Sequence, residues 1–272
     1  MIYAFGDSFT AGLGVDRKWE ESQLGGHSNW NTMTQDEKEK QRAIVEKFRN
    51  ENSYAGVFSR KLGIEYRNFA LSGCSNEFIL NSIIENDIIF NQGDIVLIGF
   101  TSSLRNTISY FPNKLFDKEF KLAPNLNVLK DLSSIDISEK INKNYTGDFL
   151  NFFQNYSNFY LTEMYDEKYY EIVNYNIIVL LQKYLEYKKI NYIMFDAFDT
   201  MVYQNHKHIN KKYYWNLGKK TIYSYITSFN DEGLLETEGY NPYNQAPRHP
   251  STEGHKLFAE ELYKFYKKVY NG

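Results

Sequence analysis

The first fourteen residues, MIYAFGDSFTAGLG (1–14), decide the fold prediction. The apolar residues 2–5 predict a buried strand over 2–6, after which Asp7 and Ser8 give way to small residues. If a helix begins at Phe9, Ser8 lies at its N-terminus, beyond the carboxyl end of the strand. That position suits a nucleophile whose attack creates an oxyanion. Serine is equally favoured as a plain helix N-cap, so both interpretations of Ser8 stay open here.

Three further apolar runs resemble the first one and predict buried strands, at residues 64–70, 94–100 and 190–198. Segments with helical spacing occupy the stretches between and after them, at 52–63, 76–90, 170–189 and 251–270, and 34–51 indicates an exposed helix. Strands that alternate with helices predict a parallel sheet covered on both faces.

The length of the chain and the interruptions of the strand–helix pattern determine the predicted domain organisation. The chain has 272 residues, 42% of them hydrophobic, with no internal repeat and no linker, so we expect a single domain over 1–272. Two stretches fall outside the strand–helix alternation, at about 15–50 and 103–169. Both follow predicted strands, where insertions lie above the carboxyl ends at which α/β proteins bind ligands.

Charge and cysteine content narrow the class of protein. The formal net charge of −3 argues against a nucleic-acid partner. A single cysteine, Cys74, excludes an internal disulfide and fits a reducing compartment, and we expect it to fill space. No apolar run is long enough to span a bilayer and no signal-peptide pattern opens the chain, so the expected location is cytoplasmic.

Histidine placement adds a candidate base. His249 directly precedes Pro250, a residue suited to the first turn of a helix, and the backbone would therefore fix its imidazole. His255 lies inside the closing helix, where we expect a structural or exposed role. His206 and His208 form a short HKH stretch without further ligands nearby, so no metal site is predicted.

Four blocks together resemble the SGNH hydrolases, the GDSL esterase/lipase superfamily. They are FGDSFTAG (5–12), YRNFALSGCSN (66–76), DIVLIGFTSS (94–103) and HPSTEGHKLFAEEL (249–262). The resemblance implies a three-layer α/β/α, flavodoxin-like fold with about five parallel strands. It also implies that Ser8 is the nucleophile, that Gly73 offers an oxyanion N–H with that of Ser8, and that His249 is the base. No cofactor is implied.

The sequence departs from this family pattern at two positions. Thr101 stands where the family has an asparagine that donates to the oxyanion; its hydroxyl is the expected substitute, with Arg105 as a source of charge. Ala246 stands where the family has the aspartate that orients the histidine. Either a backbone carbonyl holds the imidazole, leaving a Ser8–His249 dyad, or another carboxylate does, and the candidates are Glu236, Glu238 and Asp199.

The expected function is that of a serine esterase acting on a small acyl ester, with O-acetyl groups on a carbohydrate as the first substrate hypothesis. Asp7, Ser102 and Arg105 are the candidates for contact with substrate. Two alternatives stay open: an O-acyltransferase that uses the same residues, and a non-catalytic binding or structural module with this fold. The sequence does not decide the oligomeric state.

Overall fold

A computed structural model describes residues 1–15, 33–102, 166–198, 207–235 and 249–270. Within these ranges the centre of the protein is a sheet of four strands in the order β2-β1-β3-β4. Every pair of neighbouring strands is parallel. The strands are β1 (Ile2–Gly6), β2 (Tyr66–Asn68), β3 (Ile95–Phe100) and β4 (Asn191–Asp196).

All four predicted strands are confirmed, and β2 is the shortest of them. It lies at one edge of the sheet, pairs with β1 alone over three residues and is only partly buried. At the opposite edge, Tyr214 forms a single parallel bridge to Met194, and the Trp215 N–H donates to the Met194 carbonyl at 2.8 Å. The expected sheet of about five strands is thus four strands and one bridge in the described part of the chain.

Helices cover both faces of the sheet, which confirms the three-layer α/β/α prediction. The helices are α1 (Gln35–Asn52), α2 (Tyr54–Leu62), α3 (Asn76–Glu85), α4 (Glu167–Tyr187), α5 (Ile222–Thr227) and α6 (Thr252–Tyr270). The predicted helix at 76–90 is divided, because α3 ends at Glu85 and a short 3-10 turn, Asp87–Ile89, follows it. None of the helices in the described ranges is long and apolar enough to cross a membrane.

The two faces of the sheet carry separate apolar cores. On one face, side chains such as Phe5 and Ile98 of the sheet pack with Ile79 of α3 and Leu181 of α4. The other face packs α2, α5 and α6 against the sheet, through residues that include Phe58, Ile222 and Phe258. Burial of large apolar side chains on both faces is the main favourable contribution to this architecture.

The expectation that a helix begins at Phe9 is wrong. Residues 8–15 form consecutive turns, closed by hydrogen bonds from the Ala11 N–H to the Asp7 carbonyl at 2.8 Å and from the Leu13 N–H to the Ser8 carbonyl at 3.0 Å. Gly12 and Gly14 have φ angles of 78° and 89°, a left-handed conformation that a right-handed helix cannot include. Ser8 is therefore held by a tight turn and not by the end of a helix.

Candidate active site

The carboxyl edge of the sheet brings together three of the predicted site segments. Ser8 follows β1, Gly73 follows β2 and Thr101 follows β3, and parallel strands end at the same edge. The segment that contains Gly73 is bonded directly to the end of β1, because the Leu71 N–H donates to the Gly6 carbonyl at 2.9 Å. The buried thiol of Cys74 also donates to this carbonyl, at 3.3 Å.

Ser8 and Gly73 present backbone donors that the described part of the protein does not use. Ser8 is 3% exposed, and among the described residues nothing accepts a hydrogen bond from its N–H or from that of Gly73. Gly73 has a φ of 76°, a left-handed conformation that favours glycine, and the space beside its Cα is open within 4 Å. Two backbone N–H groups on neighbouring loops are the chemistry that an oxyanion requires.

A buried hydroxyl pair supports the turn that carries Ser8. Thr10 is part of this turn, and the Tyr54 hydroxyl of α2 donates to its Oγ1 at 2.7 Å. A Cβ at Gly6 or Gly99 would overlap this threonine oxygen, so both strand ends need glycine to let Thr10 approach. Burial raises the pKa of the Tyr54 hydroxyl, which stays protonated as a donor.

His249 lies against the same turn, on the side of α6. Its ring and that of Phe9, the residue after Ser8, have centroids 5.5 Å apart. A Cβ at Gly14 would lie 2.6 Å from the His249 Cβ and 2.5 Å from the Pro250 carbonyl oxygen, so only glycine permits this approach. The structure thus brings the predicted base to the turn that carries the predicted nucleophile, and His249 is half-buried there.

His255 has a structural role in the same region. Its ring is fully buried; Nδ1 accepts from the Tyr54 N–H at 3.2 Å, and Nε2 lies 3.4 Å from the Leu13 carbonyl oxygen. An acceptor at Nδ1 and a carbonyl at Nε2 fit a neutral imidazole with its proton on Nε2. Burial lowers the pKa of His255 to about 4, the Leu13 carbonyl acts in the opposite direction, and nearby His249 lowers it further.

Thr101 and Asp7 are bonded to each other. Both are fully buried, and the Thr101 hydroxyl donates to Asp7 Oδ2 at 2.8 Å. The second carboxylate oxygen, Oδ1, accepts from the Phe9 N–H at 3.0 Å. Asp7 therefore connects the end of β3 to the turn that carries Ser8 and helps to position both. Its contact with substrate stays a prediction.

The remaining predicted site residues divide between the described and undescribed parts of the chain. Ser102 is half-buried next to Thr101. Arg105, Ala246 and the candidate acids Glu236, Glu238 and Asp199 lie outside the described residues, so their roles stay predictions. Among the described residues, no three His, Cys, Asp or Glu side chains are grouped as a metal site would require.

Sequence reasoning missed several residues that hold the site together. Asn68, at the end of β2, donates from Nδ2 to the Thr10 carbonyl at 3.1 Å and accepts the Ala70 N–H at 3.0 Å. Asn76, three residues after Gly73, bonds to the backbone of Thr101. Asn68 lies inside a predicted strand and Asn76 opens a predicted helix, so the local sequence pattern reveals neither partner.

A cavity of about 330 Å³ opens beside these loops. Its lining comes from the Ser8 turn, from α1 and from the segment before Gly73, and it includes Leu13, Glu46, Arg49, Asn68 and Ser72. Carboxylate, guanidinium, amide and hydroxyl groups thus surround a space large enough for part of a small polar molecule.

Comparisons with known proteins complete this description. No protein-family model matches the chain, and no curated protein matches it. Among solved structures it is similar to a carbohydrate esterase whose active site displays divergent catalytic and non-catalytic binding functions, at 13% identity over 98% of this chain and 68% of that one, with a TM-score of 0.42.

Two other similar structures cover nearly all of both chains. One is a putative lipolytic protein of the G-D-S-L family from Desulfitobacterium hafniense, at 16% identity over 97% of this chain and 98% of that one, with a TM-score of 0.31. The other is phospholipase A1 from Streptomyces albidoflavus, at 8% identity over 98% of each, with a TM-score of 0.39. G-D-S-L proteins, the family that the sequence motifs resemble, are thus among the solved structures similar to this chain, at TM-scores that carry no inference about activity.

Proposed function

We propose that this protein is a serine ester hydrolase in which Ser8 is the nucleophile and His249 the general base. The observation that carries the proposal is the convergence of three features at one edge of the sheet. The N–H groups of Ser8 and Gly73, which no described residue engages, lie on neighbouring loops, and His249 lies against the turn that carries Ser8. Nucleophile, base and oxyanion donors are the minimum set for acyl transfer through a covalent intermediate.

The proposed reaction has two steps. His249 takes the proton of the Ser8 hydroxyl as Ser8 Oγ attacks the ester carbonyl, and the backbone N–H groups of Ser8 and Gly73 receive the oxyanion. The imidazolium then protonates the leaving alcohol, and an acyl group stays on Ser8. Water, deprotonated by His249, then attacks this ester; the bond to Ser8 Oγ breaks, the imidazolium returns the proton to Ser8 Oγ, and the acid is released. The Thr101 hydroxyl, the third donor expected from the sequence, joins the oxyanion only by leaving Asp7.

The proposed substrate is a small acyl ester of a polar alcohol, with an O-acetylated carbohydrate as the first choice. The polar cavity beside the Ser8 turn supports this choice, because its amide, hydroxyl and charged side chains suit an alcohol rich in hydroxyl groups. The acyl group would lie toward Ser8 and the alcohol toward the cavity.

The test is hydrolysis of p-nitrophenyl acetate and longer-chain esters by the wild type, Ser8→Ala and His249→Ala. His208→Ala is the control, since His208 is an exposed histidine outside the predicted site. We expect kcat to fall by about a thousandfold or more in both site variants and to stay unchanged in the control. Labelling of Ser8 by a fluorophosphonate probe, located by mass spectrometry, gives an independent readout.

A binding module is the second candidate function, and the Thr101–Asp7 bond favours it. The hydroxyl expected to replace the family's amide donor already donates to a buried carboxylate. A wild type that neither turns over esters faster than Ser8→Ala nor reacts with the probe would support this second function and overturn the first.

A further inference from the structure

Asn76 is a buried amide at the junction of two site loops. It is the first residue of α3, three positions after Gly73, and is 1% exposed. Ser75 caps the helix by accepting from the Phe78 N–H at 3.2 Å, so the Asn76 side chain is not needed as the cap. Its amide points instead toward the end of β3.

The amide of Asn76 bonds both polar groups of the Thr101 backbone. Asn76 Oδ1 accepts from the Thr101 N–H at 3.0 Å, and Nδ2 donates to the Thr101 carbonyl at 3.2 Å. Nδ2 also donates to Asn174 Oδ1 of α4 at 3.2 Å. Because Thr101 follows the last residue of β3, the amide satisfies a buried peptide unit at the point where the regular strand ends.

Resting on the proposed function, we propose that Asn76 is a positioning residue that holds the Gly73 loop and the Thr101 segment in one fixed arrangement. Thr101 in turn bonds Asp7, and Asp7 bonds the Phe9 N–H beside Ser8. The chain of bonds therefore runs from the loop that carries one oxyanion donor to the turn that carries the other. Small displacements of such donors lower transition-state stabilisation more than ground-state binding.

Gln182 provides a matched control within the same protein. Its Oε1 accepts from the Asn210 N–H at 2.7 Å and its Nε2 donates to the Asn210 carbonyl at 3.1 Å, and it is also 1% exposed. This is the same two-bond contact of an amide with one backbone residue. Asn210 also donates to Glu186, and Glu186 accepts from Tyr192 near the start of β4. The contact of Gln182 therefore lies toward the amino ends of the strands, whereas Ser8 lies at their carboxyl ends.

The experiment compares Asn76→Ala with Gln182→Ala in the full chain. Both variants lose a buried two-bond amide contact with one backbone residue, and Asn76→Ala also loses the bond to Asn174, so we expect Tm to decrease in both and more in Asn76→Ala. For p-nitrophenyl acetate we expect Asn76→Ala to lower kcat by about 10–100-fold with KM within about twofold. Gln182→Ala should keep kcat within about twofold of the wild type. Asn76→Ser, which removes the two-bond contact but leaves a small polar side chain, replaces Asn76→Ala if that variant does not fold, with a similar expected decrease in kcat.

The kinetic results distinguish a failure of this inference from a failure of the proposed function. Equal kcat values in the Asn76 and Gln182 variants, in an active wild type, overturn this inference and leave the proposed function intact. A loss that falls on KM rather than kcat also overturns it, because a positioning residue for the oxyanion donors acts on the transition state. A wild type that hydrolyses esters no faster than Ser8→Ala overturns the proposed function. The role of Asn76 in that function then falls with it.

Discussion

The hydroxyl of Thr101 donates a hydrogen bond of 2.8 Å to Oδ2 of Asp7, and both residues are fully buried. A hydroxyl has one proton to donate, so in this arrangement the Thr101 proton is not available to an oxyanion. The bond has a clear structural consequence, because it satisfies a carboxylate that has no access to water. Thr101 thus stabilises the segment next to the nucleophile, whatever its part in the reaction.

Replacing Thr101 separates these two roles. Thr101→Val keeps the shape but removes the hydroxyl, and we expect the free energy of unfolding to fall by about 2 kcal/mol, as for loss of a hydrogen bond to a charged group. Thr101→Ser keeps the hydroxyl and should retain most of this stability. Chemical denaturation measures both. Because the Thr101–Asp7 bond is part of the chain of bonds from Asn76 to the Ser8 turn, we expect kcat in Thr101→Val to fall no further than in Asn76→Ala. A much larger loss, near a thousandfold at unchanged KM, would contradict the supporting role, since it would indicate direct donation to the oxyanion.

Gly14→Ala tests the contact between the Ser8 turn and His249. An alanine here would have to adopt a φ near 89° and would place its Cβ 2.6 Å from the His249 Cβ. We expect a decrease of about 2 kcal/mol or more in the free energy of unfolding and a fall in kcat, because the turn and the histidine must separate. Gly63→Ala, which has a similar φ of 66° but no neighbouring atoms within 4 Å, is the control. It should lose stability but not kcat, and equal kcat losses would contradict the prediction.

The two central strands of the sheet were predictable from the sequence because they are buried on both faces. Runs such as residues 95–98 are uniformly apolar, and the structure buries every residue of β1 and β3. Residues 2–6 and 94–100 therefore predicted strands within a residue of their observed bounds. The turn after Ser8 was not predictable in the same way, since the left-handed conformations of Gly12 and Gly14 depend on the approach of α1 and of His249.

The hydrogen bonds that hold the candidate site together join residues that are distant in the sequence. His255 accepts from the Tyr54 N–H across 201 positions, and the Thr101 hydroxyl reaches Asp7 across 94. Single residues such as Asn76 carry no periodic signal, and their role follows only from the packing of α3 against the end of β3. Ser8 and His249 could be singled out because local features, a strand end and a helix start, accompany each of them.

If the polar cavity binds the alcohol part of the substrate, a substitution that fills it should weaken binding of large substrates and leave small ones unaffected. Glu46 is an exposed lining residue on α1, across from the segment that carries Gly73. Glu46→Trp should fill part of the cavity and raise KM for an acetylated oligosaccharide by about tenfold, equivalent to the loss of about 1.4 kcal/mol of binding. For p-nitrophenyl acetate, kcat/KM should change less than twofold. Lys40→Trp, an exposed position on the same helix outside the cavity lining, is the control, and equal effects of the two tryptophans would exclude the cavity as the alcohol site.

His255 predicts a loss of stability in mild acid. Its pKa is about 4 in the folded protein, where the ring is buried and neutral, and about 6.5 in an unfolded chain. Between these values the unfolded state binds a proton that the folded state does not. Stability from this group is therefore complete above about pH 6.5 and is lost as the pH falls toward 4, by up to about 3 kcal/mol.

The measurement is the free energy of unfolding by urea from pH 7.5 to 4, for the wild type and His255→Gln. Glutamine offers hydrogen-bonding groups but does not titrate, so the variant should be less stable at pH 7.5 and should lose less stability on acidification. His208→Gln, which removes an exposed histidine, should keep the wild-type slope. The difference in slope between the two variants isolates His255 from the carboxylates that titrate in the same range. Parallel pH profiles for His255→Gln and the wild type would show that His255 titrates alike in the folded and unfolded states, contrary to the buried neutral imidazole between Tyr54 and Leu13.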